Sequence, residues 1–203
     1  MNKTKEAMKS LVPEGKSGDW EVSRFSVSKQ EADLDRMRSM FSFSGRGRYT
    51  PEGSYTKLAY RGNVVMSDTP DELSDHLGVA YEAQRRGGEV LVNGLGLGCV
   101  VQGMFSEQSK VERVTVIEKS SDVISLVAPH IISLFGDKVR IIHADAFDYK
   151  PEKGIRFTVV WHDIWPNMCV TNLVEMTRLH RKYGSKCDWQ GSWGKEWIKA
   201  RMR

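Results

Sequence analysis

The chain has 203 residues, with 30 Lys and Arg against 26 Asp and Glu, a net charge of +4 and 40% hydrophobic residues. That length fits one ordinary domain able to bury a core without disulfide or metal staples, and no apolar run approaches the roughly 18 to 20 residues of a membrane span. Eight Lys/Arg and two Asp/Glu fall between Arg178 and Arg203, leaving 22 against 24 in the rest, so the overall charge does not argue for nucleic-acid binding.

Three cysteines without CxxC spacing (Cys99, Cys169, Cys187) and an N-terminus with no apolar stretch point to a reducing, cytoplasmic setting. Residues 1–27 are polar and read as a loose arm. Ser28 and Glu31 make a capping-box pattern, and Leu34, Met37, Met40 and Phe41 follow at helical spacing, predicting a helix over 29–41. Residues 44–53 form a turn-rich cationic loop. Arg46 and Arg48 there read either as a solvated turn or as a lid over an anionic substrate. The segments YTKLAY and NVVMSDT flank Arg61-Gly62, a hairpin signal. Thr69, Pro70 and Glu72 then open a helix that Gly87-Gly88 should stop.

From residue 89 the pattern alternates strand and helix. EVLVNG, VERVTVIE, KVRIIHADAF and RFTVVWHDIW read as strands. The segments between them read as helices, the second interrupted by Pro129, and TNLVEMTRLHRKYG as a further helix. Such alternation implies an α/β domain with a mainly parallel sheet and right-handed crossovers. The expected organisation is an arm, short helix and hairpin over 1–68, a Rossmann-like domain over 69–184, and a basic Trp-rich tail over 185–203.

The chemistry-bearing residues fall at the carboxyl ends of these strands, where doubly wound sheets bind ligands. Gly94, Gly96 and Gly98 join the first strand to its helix. Glycines there allow either close approach of a ligand or tight packing alone. Glu118 ends the second strand, where a carboxylate can accept ribose hydroxyls, and Asp145 ends the third. His162 and Asp163 end the fourth and are the candidates for proton transfer, with a loop-capping role equally open. Position 99, where the dinucleotide fingerprint needs Gly or Ala, is Cys, and no Walker loop follows, so an adenosine ligand without pyrophosphate fits better.

In these residues the segment from about Leu58 to Pro166 resembles the spermidine synthase branch of S-adenosylmethionine (AdoMet)-dependent methyltransferase-fold enzymes. EVLVNGLGLG is similar to the branch's first motif, VTVIEKS to its second and IIHADAF to its third. The resemblance implies AdoMet as cofactor, Glu118 at its ribose, and Asp145 and Ala146 at its adenine. NVVMSDTPDELSDH is similar to the segment preceding the fold, where Asp71, Glu72 and His76 keep family positions; Asp71 and His76, with Trp165, are candidates for substrate binding. Departures are also clear. Met66 replaces a family Gln, Asp75 and Leu77 replace the Tyr and Glu beside the family His, and alignment on Pro166 puts His162 and Trp165 at two family Asp positions. The whole chain, including WHDIWP, resembles short methyltransferase-like proteins of phages and bacteria.

The implied function is AdoMet-dependent methyl transfer to an unspecified acceptor. Aminopropyl transfer and a non-catalytic AdoMet-binding protein remain alternatives. The methyltransferase sheet has seven strands, whereas only four strong ones are legible here, so a shortened sheet is expected, its open edge covered by the tail or another subunit. Trp189, Trp193 and Trp197 recur every four residues amid basic residues. They read as a helix face packed on the domain or in a homodimer, with nucleic-acid stacking the less favoured alternative. No metal site is expected: the His-x6-Cys spacings of His162, Cys169, His180 and Cys187 are too wide.

Overall fold

A computed structural model describes residues 3–41, 49–105 and 109–202. The loop carrying Arg46 and Arg48 lies outside the described residues.

The expected loose arm is ordered. After helix α1 (Lys3–Ala7), strands β1 (Gly15–Ser17) and β2 (Trp20–Val27) join β3 (Gly53–Tyr60) and β4 (Asn63–Ser67) in a four-stranded antiparallel sheet. Two contacts explain why so polar a segment is held. Asp68 is buried and accepts the amides of Ser10 at 3.0 Å and Thr56 at 2.6 Å, tying arm to sheet. Val22, in the middle of β2, is fully buried opposite Leu58. The β3–β4 turn is Arg61-Gly62, both at positive φ, the two-residue hairpin geometry that matches strand twist. Helix α2 (Lys29–Phe41) connects β2 to β3, and the capping box forms: Ser28 N donates to Glu31 Oε2 at 2.8 Å and Glu31 N to Ser28 Oγ at 3.3 Å.

Helix α3 (Pro70–Arg86) leads into the second sheet. Its strands are β5 (Gly88–Asn93), β6 (Val111–Glu118), β7 (Val139–His143), β8 (Phe157–His162) and β9 (Cys187–Ser192), in the order β7-β6-β5-β8-β9, all parallel. The crossover helices are α4 (Cys99–Met104), α5 (Ser121–Phe135) and α6 (Asn172–Tyr183); α7 (Lys195–Ala200) follows β9. Pro129 sits inside α5 without dividing it. The central strand shows why the sheet is sandwiched. Val90 and Val92 pack on the face covered by α3, α4 and α5, while Leu91 packs on the face covered by α6 and α7. All three are essentially inaccessible, and truncating one such side chain costs about 2–5 kcal/mol.

The segment read as a Trp-rich tail supplies β9. It pairs in parallel with β8 across the α6 crossover, so the edge beyond the fourth strand is occupied by the chain itself. The helical reading of the Trp spacing is corrected: Trp189 lies on β9, Trp193 in the turn and Trp197 on α7. Gly191 is what lets the strand form, because a Cβ there would strike the rings of Trp161 and Trp189, which stack 6.3 Å apart at 10°. Among the described residues no helix is long and apolar enough to cross a membrane.

Candidate functional site

The strand order turns outward in both directions from β5, and the crevice above that switch point is where doubly wound sheets bind ligands. Here it is a cavity of about 1000 Å³. Its floor is made by the carboxyl ends of the parallel strands, and its roof by Trp20, Leu58, Tyr60, Val64 and Met66 of the antiparallel sheet.

The glycine turn divides into two parts. Gly94 and Gly96 line the cavity at φ 101° and 51°. A side chain on Gly94 would strike the Asp163 carbonyl, and one on Gly96 the sulfur of Met66. Gly98, at φ 76°, lies outside the cavity lining: a side chain there would strike Ile131 of α5, so its lack of one leaves room for that helix.

Glu118 lines the cavity with its carboxylate fixed at both oxygens. Oε2 accepts the amide of Leu95 at 2.9 Å and Oε1 that of Ser120 at 2.8 Å. Each oxygen keeps an acceptor position, so the group is held in place while still able to accept hydroxyls. Asp145, Ala146 and Phe147 line the same wall. Asp145 accepts Lys119 Nζ and the Phe147 amide, both at 2.8 Å, and the lysine hydrogen bond holds its carboxyl below the usual range.

At the far end, Glu72, Asp75, His76, Asp163 and Trp165 line the cavity. His76 Nε2 lies 3.6 Å from Asp163 Oδ2, and burial pushes the Asp163 carboxyl upward, His76 opposing. Burial likewise raises Glu72, whose oxygens accept the amide and hydroxyl of Ser67 at 2.6 and 2.9 Å. Glu72 therefore ties the helix start to Ser67, in place of the expected capping box at Thr69. Trp165 is 7% exposed, its indole nitrogen donating to Glu175 at 2.7 Å. Asp71, expected beside these groups, is not part of the lining.

The expectation that His162 exchanges protons at the site is corrected. Successive residues of a strand face opposite sides, and His162 points toward α6. It is wholly buried between His180 and Tyr183, with Nδ1 2.8 Å from Asn93 Nδ2. Burial, with the neighbouring His180, pushes its pKa down to about 3, so it stays neutral. Met66, noted in the sequence only as replacing a family Gln, has its sulfur accepting the amide of Leu97 at 3.0 Å, and sequence reasoning missed Met168, Trp193 and Trp197 on the cavity wall. The Trp pair was visible in the sequence, but its position depended on the unrecognised β9.

No family model and no curated protein matches this chain. Among solved structures, the CcbJ methyltransferase from Streptomyces caelestis is 17% identical, with a TM-score of 0.44 over 56% of this chain and 45% of that one. An S-adenosylmethionine-dependent methyltransferase from Clostridium acetobutylicum is 11% identical, with a TM-score of 0.42 over 56% and 44%. The DhpI-SAM-HEP complex is 19% identical, with a TM-score of 0.39 over 58% and 50%. The matched region spans about half of each of these chains.

Proposed function

We propose that the protein is an AdoMet-dependent methyltransferase acting on a small acceptor held beside Asp163. The reading is carried by one observation: the carboxyl ends of the parallel strands open into a single cavity holding both the Gly94–Gly96 turn and the amide-fixed Glu118. The residues present fit an adenosyl group. Glu118 retains acceptor positions for the ribose hydroxyls, Asp145 and Ala146 border the adenine position, and the two glycines bring the backbone close to the ligand. A volume of about 1000 Å³ is at the upper end for small-molecule sites and leaves room for an acceptor as well.

AdoMet supplies an activated methyl group whose sulfonium departs as a neutral thioether. The chain's own contribution is alignment, exclusion of water by the roof residues, and removal of the acceptor's proton. Asp163 is the group placed to take that proton, and its raised pKa makes it a better acceptor than an ordinary carboxylate. His76 stands behind it, and Trp165 forms the wall.

The likeness to the spermidine synthase branch supplies a second reading, aminopropyl transfer. One feature favours it: Glu72, Asp75 and Asp163 meet in the cavity, a setting suited to an amine. Calorimetric titration with AdoMet, S-adenosylhomocysteine, decarboxylated AdoMet and NAD separates the readings. Methyl transfer predicts binding of the first two and none of NAD. Preference for decarboxylated AdoMet selects aminopropyl transfer, and absence of any adenosyl binding defeats both.

A further inference from the structure

Helix α2 is amphipathic the wrong way round. Its buried residues are Ala32 and Ser39, and Asp35 is held by the Thr50 amide at 2.8 Å. Leu34, Met37 and Met40 are 48%, 58% and 73% exposed. At 100° per residue, Leu34 and Met37 lie opposite the face that packs on the protein. An apolar face turned outward on an otherwise charged helix marks an interaction surface.

The charges beside this stripe specify the partner. Glu31 and Arg38 flank it on one side, and both are exposed. Among the described residues neither Glu31 nor Arg38 has an ion-pair partner, although Glu31 Oε2 accepts the amide and hydroxyl of Ser28. When two copies of a helix pack antiparallel, the same flank of each meets the other in reverse order. Glu31 then faces Arg38 of the second copy, and Arg38 faces Glu31. The two symmetry-related pairs are centred between residues 34 and 35, so one two-fold axis satisfies both and brings Leu34 against its own copy.

We propose that α2 is a homodimer interface, formed by antiparallel packing of two copies about an axis near Leu34. The surface joins the ends of β2 and β3 remote from Trp20 and Tyr60, the residues that roof the cavity, so pairing leaves the cavity accessible. A helix of 13 residues is about 20 Å long, which places the contact below roughly 1,200 Å² and makes the association weak and concentration-dependent.

Sedimentation velocity of the full chain, over a range of about 5 to about 500 µM, tests this inference. The wild type is expected to shift from monomer to dimer, and Leu34→Arg to remain monomeric throughout. Glu31→Lys and Arg38→Glu each repel their own copies, so each alone is expected to be monomeric, while an equimolar mixture forms a heterodimer. All these positions are exposed, and melting temperatures of the variants check that each is folded. A wild type that stays monomeric, variants that dimerise as well as the wild type, or a mixture that stays monomeric would each overturn the proposal.

Discussion

His162 and Asp163 are neighbours in the chain, yet they belong to regions of opposite chemistry. On the cavity side of β8, Asp163 meets His76, Glu72 and Asp75 where a ligand can reach them. On the α6 side, His162 sits with Asn93, Tyr183 and His180 in a closed polar layer. On the cavity side burial raises the pKa of the Asp163 and Glu72 carboxyls. On the α6 side burial keeps both histidines neutral, while Asn93 Oδ1, His162 Nε2 and the Tyr183 hydroxyl have no hydrogen-bond partner among the described residues. A titratable residue at a strand's carboxyl end is therefore a candidate for chemistry only if the local backbone turns it toward the crevice.

Substitutions can break this comparison, the largest effect first. Asp163→Asn is expected to lower turnover on the true acceptor by on the order of 10²-fold or more while leaving AdoMet affinity near the wild type. Initial rates alongside calorimetry check both halves. Glu118→Ala removes the anchored carboxylate and is expected to weaken AdoMet by about a hundredfold, read by the same titration. Gly94→Ala forces a side chain at φ 101° into the Asp163 carbonyl and is expected to cost about 3 kcal/mol in denaturant unfolding.

The α6 side predicts a pH effect of definite sign. His162 titrates near 6.5 when unfolded and about 3 when folded. Between those values the unfolded chain binds more protons, so stability is complete above about 6.5 and falls as the pH drops toward 3. The loss amounts to at most roughly 4 kcal/mol. His180, pushed down to about 4 by burial, adds in the same direction. Melting temperatures of His162→Gln across this range should show a flatter acid limb than the wild type. The smallest effect belongs to Lys119→Met. That side chain is 79% exposed, so releasing Asp145 from it should alter AdoMet affinity within about threefold.

The parallel core was legible because its strands are continuous apolar runs and its helices carry their own stop signals, as at Gly87 and Gly136. The glycine turn and Glu118 followed from their positions at strand ends. β9 was not legible. CDWQGS alternates only at Cys187 and Trp189 before Gly191 and Ser192 end the pattern, and it becomes a strand because β8 offers it an edge and Gly191 fits between two indoles. β2 carries a partial signal, Trp20 and Val22 alternating before Arg24 and Phe25 break the period. The cavity roof depends on contacts between segments distant in sequence, such as Met66 with Leu97, which no local pattern encodes.

The central claim is that ligand binding belongs to the cavity side and stability to the α6 side. It is tested most directly by the affinity of S-adenosylhomocysteine for the wild type, Glu118→Ala and His162→Gln, measured by calorimetry at neutral pH. The account predicts a loss of about a hundredfold for Glu118→Ala and no more than about threefold for His162→Gln. Equal losses in the two variants, or full binding by Glu118→Ala, would contradict it.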